Sequence, residues 1–516
     1  MNKNGLVYDV NQKPPFGKNL VYAFQQLLAI IAATVLVPFL VNDYSGKQIL
    51  SQSAALIGAG VGTIVYLLFT KFKSPVFLGS SFAFITPLVT GVVYGYCGVI
   101  LGSVFAALVY VIIAIIIKFV GSDWINKLMP PVIIGPTVAL IGLSLAGSAM
   151  NNLMNISVTT DNYNLLAILV GITTFLVTVI ASVKGTKGMK LIPFIIGVGA
   201  GYLLALLITL IGYNGFGSSY CKLVDFSAFA SVKDFKNWIP NLTFVGAVKE
   251  LFGGESLLLT GTGVLSIFLA FAPVALVVFA EHVADHKNLG SIIDRDLLKD
   301  PGLDRTLLGD GVGSFAGAFF GGCPNTTYGE SVGCVAITKN ASVYTILTTA
   351  IMCIVLAFVY PIMLFIETIP NCVVGGTCIA LYGFIAVSGL RMFKHVDLDN
   401  SKNLFVVASI LVTGLGGLVL NFGGTFAAPV VQISSIACAL ILGIIVNVIL
   451  KPGKAEVKKE VEYEGETESN MFGTQVVDEK KKAANDPCKD CTEEKTEETC
   501  KACRESSEAA SAKDEQ

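Results

Sequence analysis

The sequence predicts an all-α polytopic membrane protein, and three observations carry that fold class. Of 516 residues, 53% are hydrophobic and only 14% are charged, against about 25% charged in soluble domains. Several apolar runs reach the ~20 residues that span a hydrocarbon core about 30 Å thick. Much of the charge is displaced into residues 451–516. A soluble chain of this length needs a charged surface, and this one lacks the residues to make it. The net charge of −2 says nothing about partners, and the chain has no basic stripe for nucleic acid.

Taken in order, residues 1–19 (MNKNGLVYDVNQKPPFGKN) read as a cytoplasmic N-terminus without a signal peptide. Fourteen spans follow, at 20–41, 54–70, 75–94, 96–120, 129–148, 164–183, 191–213, 261–282, 304–321, 324–338, 342–366, 369–390, 403–420 and 425–450. The long segment 214–260 is an outer loop. With both termini in the cytoplasm, fifteen Lys and Arg fall on the cytoplasmic side. Five fall outside, four of them in the long loop. Long loops count little in the positive-inside rule, so the alternation supports a multi-pass protein of the cell membrane in this orientation.

The chain also repeats itself. PPVIIGPTVALIG (130–142) echoes PNCVVGGTCIALYG (370–383), and SSFA (80–83) echoes TTYG (326–329). Both echoes displace the chain by seven spans. An odd displacement inverts the second copy, which predicts two inverted repeats, 20–213 and 261–450, of the kind that build transporters with a midplane site.

Within the third and tenth spans, GSSFAF (79–84) and NTTYG (325–329) are poor helix formers. Extended backbone at membrane depth is tolerated only where it is buried or lines a cavity. The two segments are therefore expected to pair as short antiparallel strands, each followed by a half-helix whose N-terminus points to the midplane. Glu330 then stands at such a helix start. Glu281 ends an uncharged run from Leu257, and its bland alternative is a span-end residue in cytoplasmic water. Ionisable residues inside spans are costly and rare. Two carboxylates beside open backbone N–H groups suit a flat neutral heterocycle that presents both N–H and C=O. Phe82 and Tyr328 could flank the ring. A carboxyl group shut away from water can also exchange a proton as the site moves, so proton coupling fits the same residues.

At LGSSFAFITP (78–87), AEHVADHKNLG (280–290), KDPGLDRTLLGDG (299–311) and GGCPNTTYGESVGCVAITKNAS (321–342), the chain resembles the nucleobase–ascorbate transporter family, most of all its uracil-carrying branch. The resemblance runs to about residue 450. It implies a core domain (spans 1–4 and 8–11), a gate domain (spans 5–7 and 12–14), alternating access between them, a homodimer, and proton-driven symport of uracil into the cytoplasm. By position, it implies that Glu281 and Glu330 hydrogen-bond the ring, that the backbone at Phe82 and Gly329 meets its carbonyls, and that Tyr328 lines the pocket. Proton coupling falls to Glu281, Asp285 and Glu330. Asp285 replaces a histidine that some relatives carry, with His286 beside it; Ser331 stands where many relatives have asparagine. Ser81, His286, Thr327 and Ser331 form the expected surrounding shell.

No cofactor is called for. Rival readings are the same fold carrying xanthine, urate or another nucleobase, an anion carrier or channel, and an intramembrane metalloprotease. The last rests on His282, His286 and Glu281, but a zinc protease helix needs its glutamate directly after the first histidine, and Val283 stands there. Residues 451–516 are charged and poor in large apolar residues, which predicts a disordered cytoplasmic tail. The tail holds two CxxC pairs, Cys488 and Cys491 with Cys500 and Cys503, a candidate zinc site whose gap is shorter than usual.

Overall fold

Apolar runs become long helices where nothing interrupts their backbone hydrogen bonds, and this chain is interrupted at a few defined places. A computed structural model describes residues 5–121, 124, 129–157, 160–234, 238–253, 261–424 and 429–450. The tail, with its four cysteines, lies outside them. The helices are α1 (Phe16–Ser45), α2 (Gln52–Phe69), α3 (Ile85–Val93), α4 (Gly95–Val120), α5 (Pro131–Ser144), α6 (Ala146–Met154), α7 (Leu165–Val183), α8 (Pro193–Ile208), α9 (Thr243–Phe252), α10 (Gly261–Ile293), α11 (Leu303–Phe319), α12 (Gly329–Thr338), α13 (Val343–Leu356), α14 (Tyr360–Glu367), α15 (Asn371–Arg391), α16 (Ser401–Leu415) and α17 (Ser435–Ile449). Among the described residues, eight helical segments are long and apolar enough to cross a membrane, or nine with one bent pair counted as a span.

Four expected spans are redrawn. The segment 342–366 is two helices, α13 and α14, bent by 81°; Pro361, in the first turn of α14, cannot donate to a preceding turn, so the helix restarts there. The segments 403–420 and 425–450 shorten to α16 and α17. Between them Leu420–Gly424 pairs antiparallel with Pro429–Ile433; Gly423 and Gly424 end the first strand and Pro429 opens the second, residues that disfavour a continuous helix. The eighth segment runs on to Ile293, well past 282. His282, His286, Leu289 and Ile293 continue its buried stripe, so packing prolongs the helix where hydropathy ends. Glu281 is thus inside a 33-residue helix, twelve residues before its end.

Helices α2 and α11 meet through glycines. A Cβ on Gly62 would lie 2.6 Å from the Gly313 carbonyl oxygen, and one on Gly313 would lie 2.7 Å from that of Gly62. This backbone approach brings both helices against a two-stranded ribbon, β1 (Leu78–Ser80) and β2 (Asn325–Thr327), which pair antiparallel in the register Leu78–Thr327, Gly79–Thr326, Ser80–Asn325. A ribbon has two open edges, and here side chains and loops close them. Thr63 Oγ1 accepts from Leu78 N (2.9 Å) and is 3.1 Å from Leu78 O; Asn325 Nδ2 donates to Gly58 O (3.1 Å). Ser81 N donates to Pro324 O (3.0 Å) and Tyr328 N to Phe77 O (3.2 Å). Such closure is what bilayer depth demands of non-helical backbone.

The long loop is structured where it is described. Its helix α9 carries Glu250, whose two carboxylate oxygens accept from Tyr96 N (2.8 Å) and Cys97 N (3.0 Å) at the start of α4. That places an anion on the positive end of a long helix. The eight described cysteines form no disulfide.

Candidate substrate site

The ribbon sets two half-helices nose to nose. β1 leads through Ser81 into a short 3₁₀ turn, Phe82–Phe84, and then α3; β2 leads through Tyr328 into α12. No side chain caps the start of α12, and Gly329 there is open to the interior space. Ser81, Phe82, Ala83, Thr326, Thr327, Tyr328, Gly329 and Glu330 from these turns, Glu281 from α10, Ile141 from α5 and Ile385 from α15 line one cavity with about 380 Å³ free of protein atoms.

Each wall has its own chemistry. The helix starts offer N–H groups and a positive dipole end. Glu281 and Glu330 offer carboxylate acceptors. Tyr328 is held in place: its hydroxyl donates to Ser80 O (2.9 Å), and its ring packs where a Gly79 side chain would be. Phe82 is buried and meets Tyr382 edge-on, with centroids 6.0 Å apart. Asp285, one turn beyond Glu281, accepts from Thr327 Oγ1 (2.6 Å), and a Cβ on Gly329 would stand 4.0 Å from it.

The remaining shell residues divide. Ser331 takes Gln26 Nε2 (2.5 Å) and Phe77 N (3.2 Å) on its hydroxyl, tying α12 to α1 and to the entry of β1. Ser81 lines the cavity with its buried hydroxyl unpartnered. His286 is not brought to the cavity. Its Nδ1 donates to His282 O (2.7 Å) and its Nε2 meets the Tyr66 hydroxyl (2.6 Å). His282, which only the metalloprotease reading used, pairs Nδ1 with Asp310 Oδ2 (2.7 Å) and Nε2 with Thr306 Oγ1 (3.0 Å). Both imidazoles are fully buried and their nitrogens are spoken for within the protein.

Sequence reasoning missed Ile141, Ile385 and Asp310. The echoed segments pointed to α5 and α15 but not to which apolar side chain turns inward. An aspartate inside the weakly apolar stretch GDG (309–311) was the available signal for Asp310.

Against known proteins, the family model described as "Permease family" matches residues 17–422. The chain belongs to that family. It is 37% identical to the uracil permease of Bacillus caldolyticus over 471 residues, covering 91% of this chain and 99% of that one. It is 34% identical to the uracil permease of Bacillus subtilis (88% and 98% covered) and 33% identical to that of Escherichia coli K12 (86% and 93%). The permease is a multi-pass membrane transporter and not an enzyme. In fold it is similar to the transmembrane domain of a cyanobacterial bicarbonate transporter, BicA (TM-score 0.51, 13% identity, 85% of this chain and 100% of that one), and to SLC26A9 (TM-score 0.55, 11% identity, 84% and 66%).

Proposed function

We propose that this permease carries uracil into the cytoplasm together with protons, by alternating access. The single observation that carries the reading is that Glu281 and Glu330 line the same cavity as the starts of two half-helices. A uracil ring presents imide and ring N–H groups to the carboxylates and carbonyl oxygens to the backbone N–H groups, with Phe82 and Tyr328 beside its faces. The relatives' printed name, uracil permease, supports the same cargo. Asp285 lies one turn beyond Glu281 on α10, and Glu281, Asp285 and Glu330 would carry the coupling proton. The fold alone does not choose the cargo. The two similar solved structures include a bicarbonate transporter, and two carboxylates in this cavity would repel such an anion.

The eight long helical segments, the bent pair, the three shorter apolar helices at 82–93, 401–415 and 435–449, and α11 and α12 together support fourteen spans. We place both termini in the cytoplasm on the loop charges, and take α1–α4 with α10–α14 as the core and α5–α8 with α15–α17 as the gate. The homodimer follows from the family resemblance and is checked by crosslinking in native membranes.

The deciding experiment is uptake of labelled uracil into vesicles bearing an imposed pH gradient, with and without a protonophore. Uptake should follow the gradient and collapse with the protonophore. Competition by unlabelled xanthine and urate tests the second cargo reading; displacement by xanthine at lower concentration than by uracil would replace uracil as the substrate.

A further inference from the structure

Ahead of the first helix, the chain is fastened to two helix ends. Leu6 and Val10 are buried, at 1% and 0% exposure. Between them Tyr8 pairs in parallel with Asn340, in the turn from α12 to α13. Val7 N donates to Lys339 O (2.8 Å), Ala341 N to Tyr8 O (2.9 Å) and Val343 N to Val10 O (3.0 Å). Asp9 reaches the other helix end. Its Oδ2 accepts from Arg295 Nη2 (2.8 Å), and its Oδ1 accepts from Val10 N (2.7 Å), which orients the carboxylate. Arg295 stands two residues past the end of α10, and its own N donates to Gly290 O (2.9 Å) in the last turn of that helix.

Residues 6–10 therefore tie the exits of α10 and α12 together. These helices carry Glu281 and Glu330, and they pack on one another. α12 has only ten residues, a rod about 15 Å long. Glu330 is its second residue, and Lys339, whose carbonyl Val7 holds, directly follows its last. The ribbon fixes where α12 begins, and residues 6–10 fix where it ends relative to α10. Two fixed ends set the tilt of a short rod, and with it the separation of the two glutamates.

We propose that residues 6–10 are a clip that sets the spacing of Glu281 and Glu330 from outside the cavity, with Asp9 and Arg295 as positioning residues. The inference rests on the substrate site proposed above. Linkage makes it testable from both ends. By whatever factor the clip tightens substrate binding, bound substrate must stabilise the clip.

Amide hydrogen exchange on the purified full-length protein tests the clip without any substitution. Saturating uracil should slow exchange at residues 5–12 and 339–343 by about tenfold, toward the low end of coupling between two sites. Exchange at 243–252, the loop helix docked on α4, should stay unchanged. Deleting residues 2–10 should weaken uracil binding by the same factor. Arg295→Gln should weaken it by about threefold, within the worth of a partly exposed ion pair, at a melting temperature near wild type. Arg295→Lys keeps the charge and should bind within about twofold of wild type. In Arg295→Gln, exchange at 329–333 should quicken even without uracil. Unresponsive exchange at 5–12 overturns the inference, as does wild-type affinity in the deletion variant. Should that variant not fold, wild-type affinity in Arg295→Gln overturns it instead. The cargo fails separately. A wild type that binds no uracil removes uracil, and the clip then stands or falls on exchange at 329–333 in Arg295→Gln. Normal uracil binding with unresponsive exchange at 5–12 removes the clip and leaves uracil.

Discussion

Glu281 and Asp285 lie along one stripe of α10, and His282 and His286 lie along the next. The acidic stripe borders the cavity and the ribbon: Glu281 lines the cavity, and Asp285 takes a bond from Thr327. Helices α11 and α2 receive the histidine stripe, where Asp310, Thr306, Tyr66 and a carbonyl of α10 itself engage the four ring nitrogens. The two rings lie with centroids 4.0 Å apart and planes tilted by 32°. Depth in the membrane is nearly the same for both stripes. They differ in satisfaction: the histidines have been given partners by the fold, and the Glu281 carboxylate has no hydrogen bond among the described residues. A carboxyl group that lines a cavity without a partner is thus a candidate for substrate or protons.

That contrast can be broken from its structural side first. His282→Ala strips Asp310 of its hydrogen-bond partner at zero exposure, and leaving a buried polar group unsatisfied costs about 1–3 kcal/mol. Thermal unfolding of the detergent-purified protein should show a large loss of stability, while the folded fraction still binds uracil. Loss of binding at unchanged stability would move His282 into the substrate site.

On the acidic side the expectation reverses. Glu330→Gln should leave expression and stability near wild type. It should cost about 1.5–3 kcal/mol of binding, the value of a hydrogen bond to a charged group, and stop uracil uptake. Normal uptake by that variant would remove Glu330 from the mechanism. Smaller again is Asp285→Asn, whose amide oxygen can still accept from Thr327. Uracil binding should change by less than about threefold, within the range of one ordinary hydrogen bond, but uptake should no longer respond to an imposed pH gradient. A retained response would leave Asp285 outside the coupling.

The least effect on transport is expected far from the cavity. Glu250→Ala uncaps α4 at Tyr96 and Cys97 and should cost about 1 kcal/mol of stability, with uracil affinity unchanged. A shift in affinity would mean that the long loop reports to the site.

How much of this could be read in advance follows from the same logic. Residues 79–84 and 325–329 were legible because β-branched, aromatic and small residues in the middle of a span contradict helix. Glu281 and Glu330 were legible because charge is scarce in this chain. The length of α10 was not, because its last turns bury polar residues that hydropathy counts as surface. The strand at 429–433 was hidden because Val430, Val431 and Ile433 fit helix and strand alike, and that at 420–424 because Gly423 and Gly424 read as a turn. Ile141 and Ile385 carried no signal at all: an isoleucine in an apolar span looks the same whether it faces lipid, protein or cargo.

The account rests on two carboxylates and two half-helix starts gripping one neutral ring. Equilibrium binding of labelled uracil to the purified full-length permease tests it most directly, comparing Glu281→Gln and Glu330→Gln with His286→Ala as the reference from the neighbouring stripe. Both glutamine variants should bind at least about tenfold more weakly than wild type, and the folded His286→Ala protein should bind within about threefold of it. Wild-type affinity in either glutamine variant, or an equal loss in His286→Ala, would contradict the account.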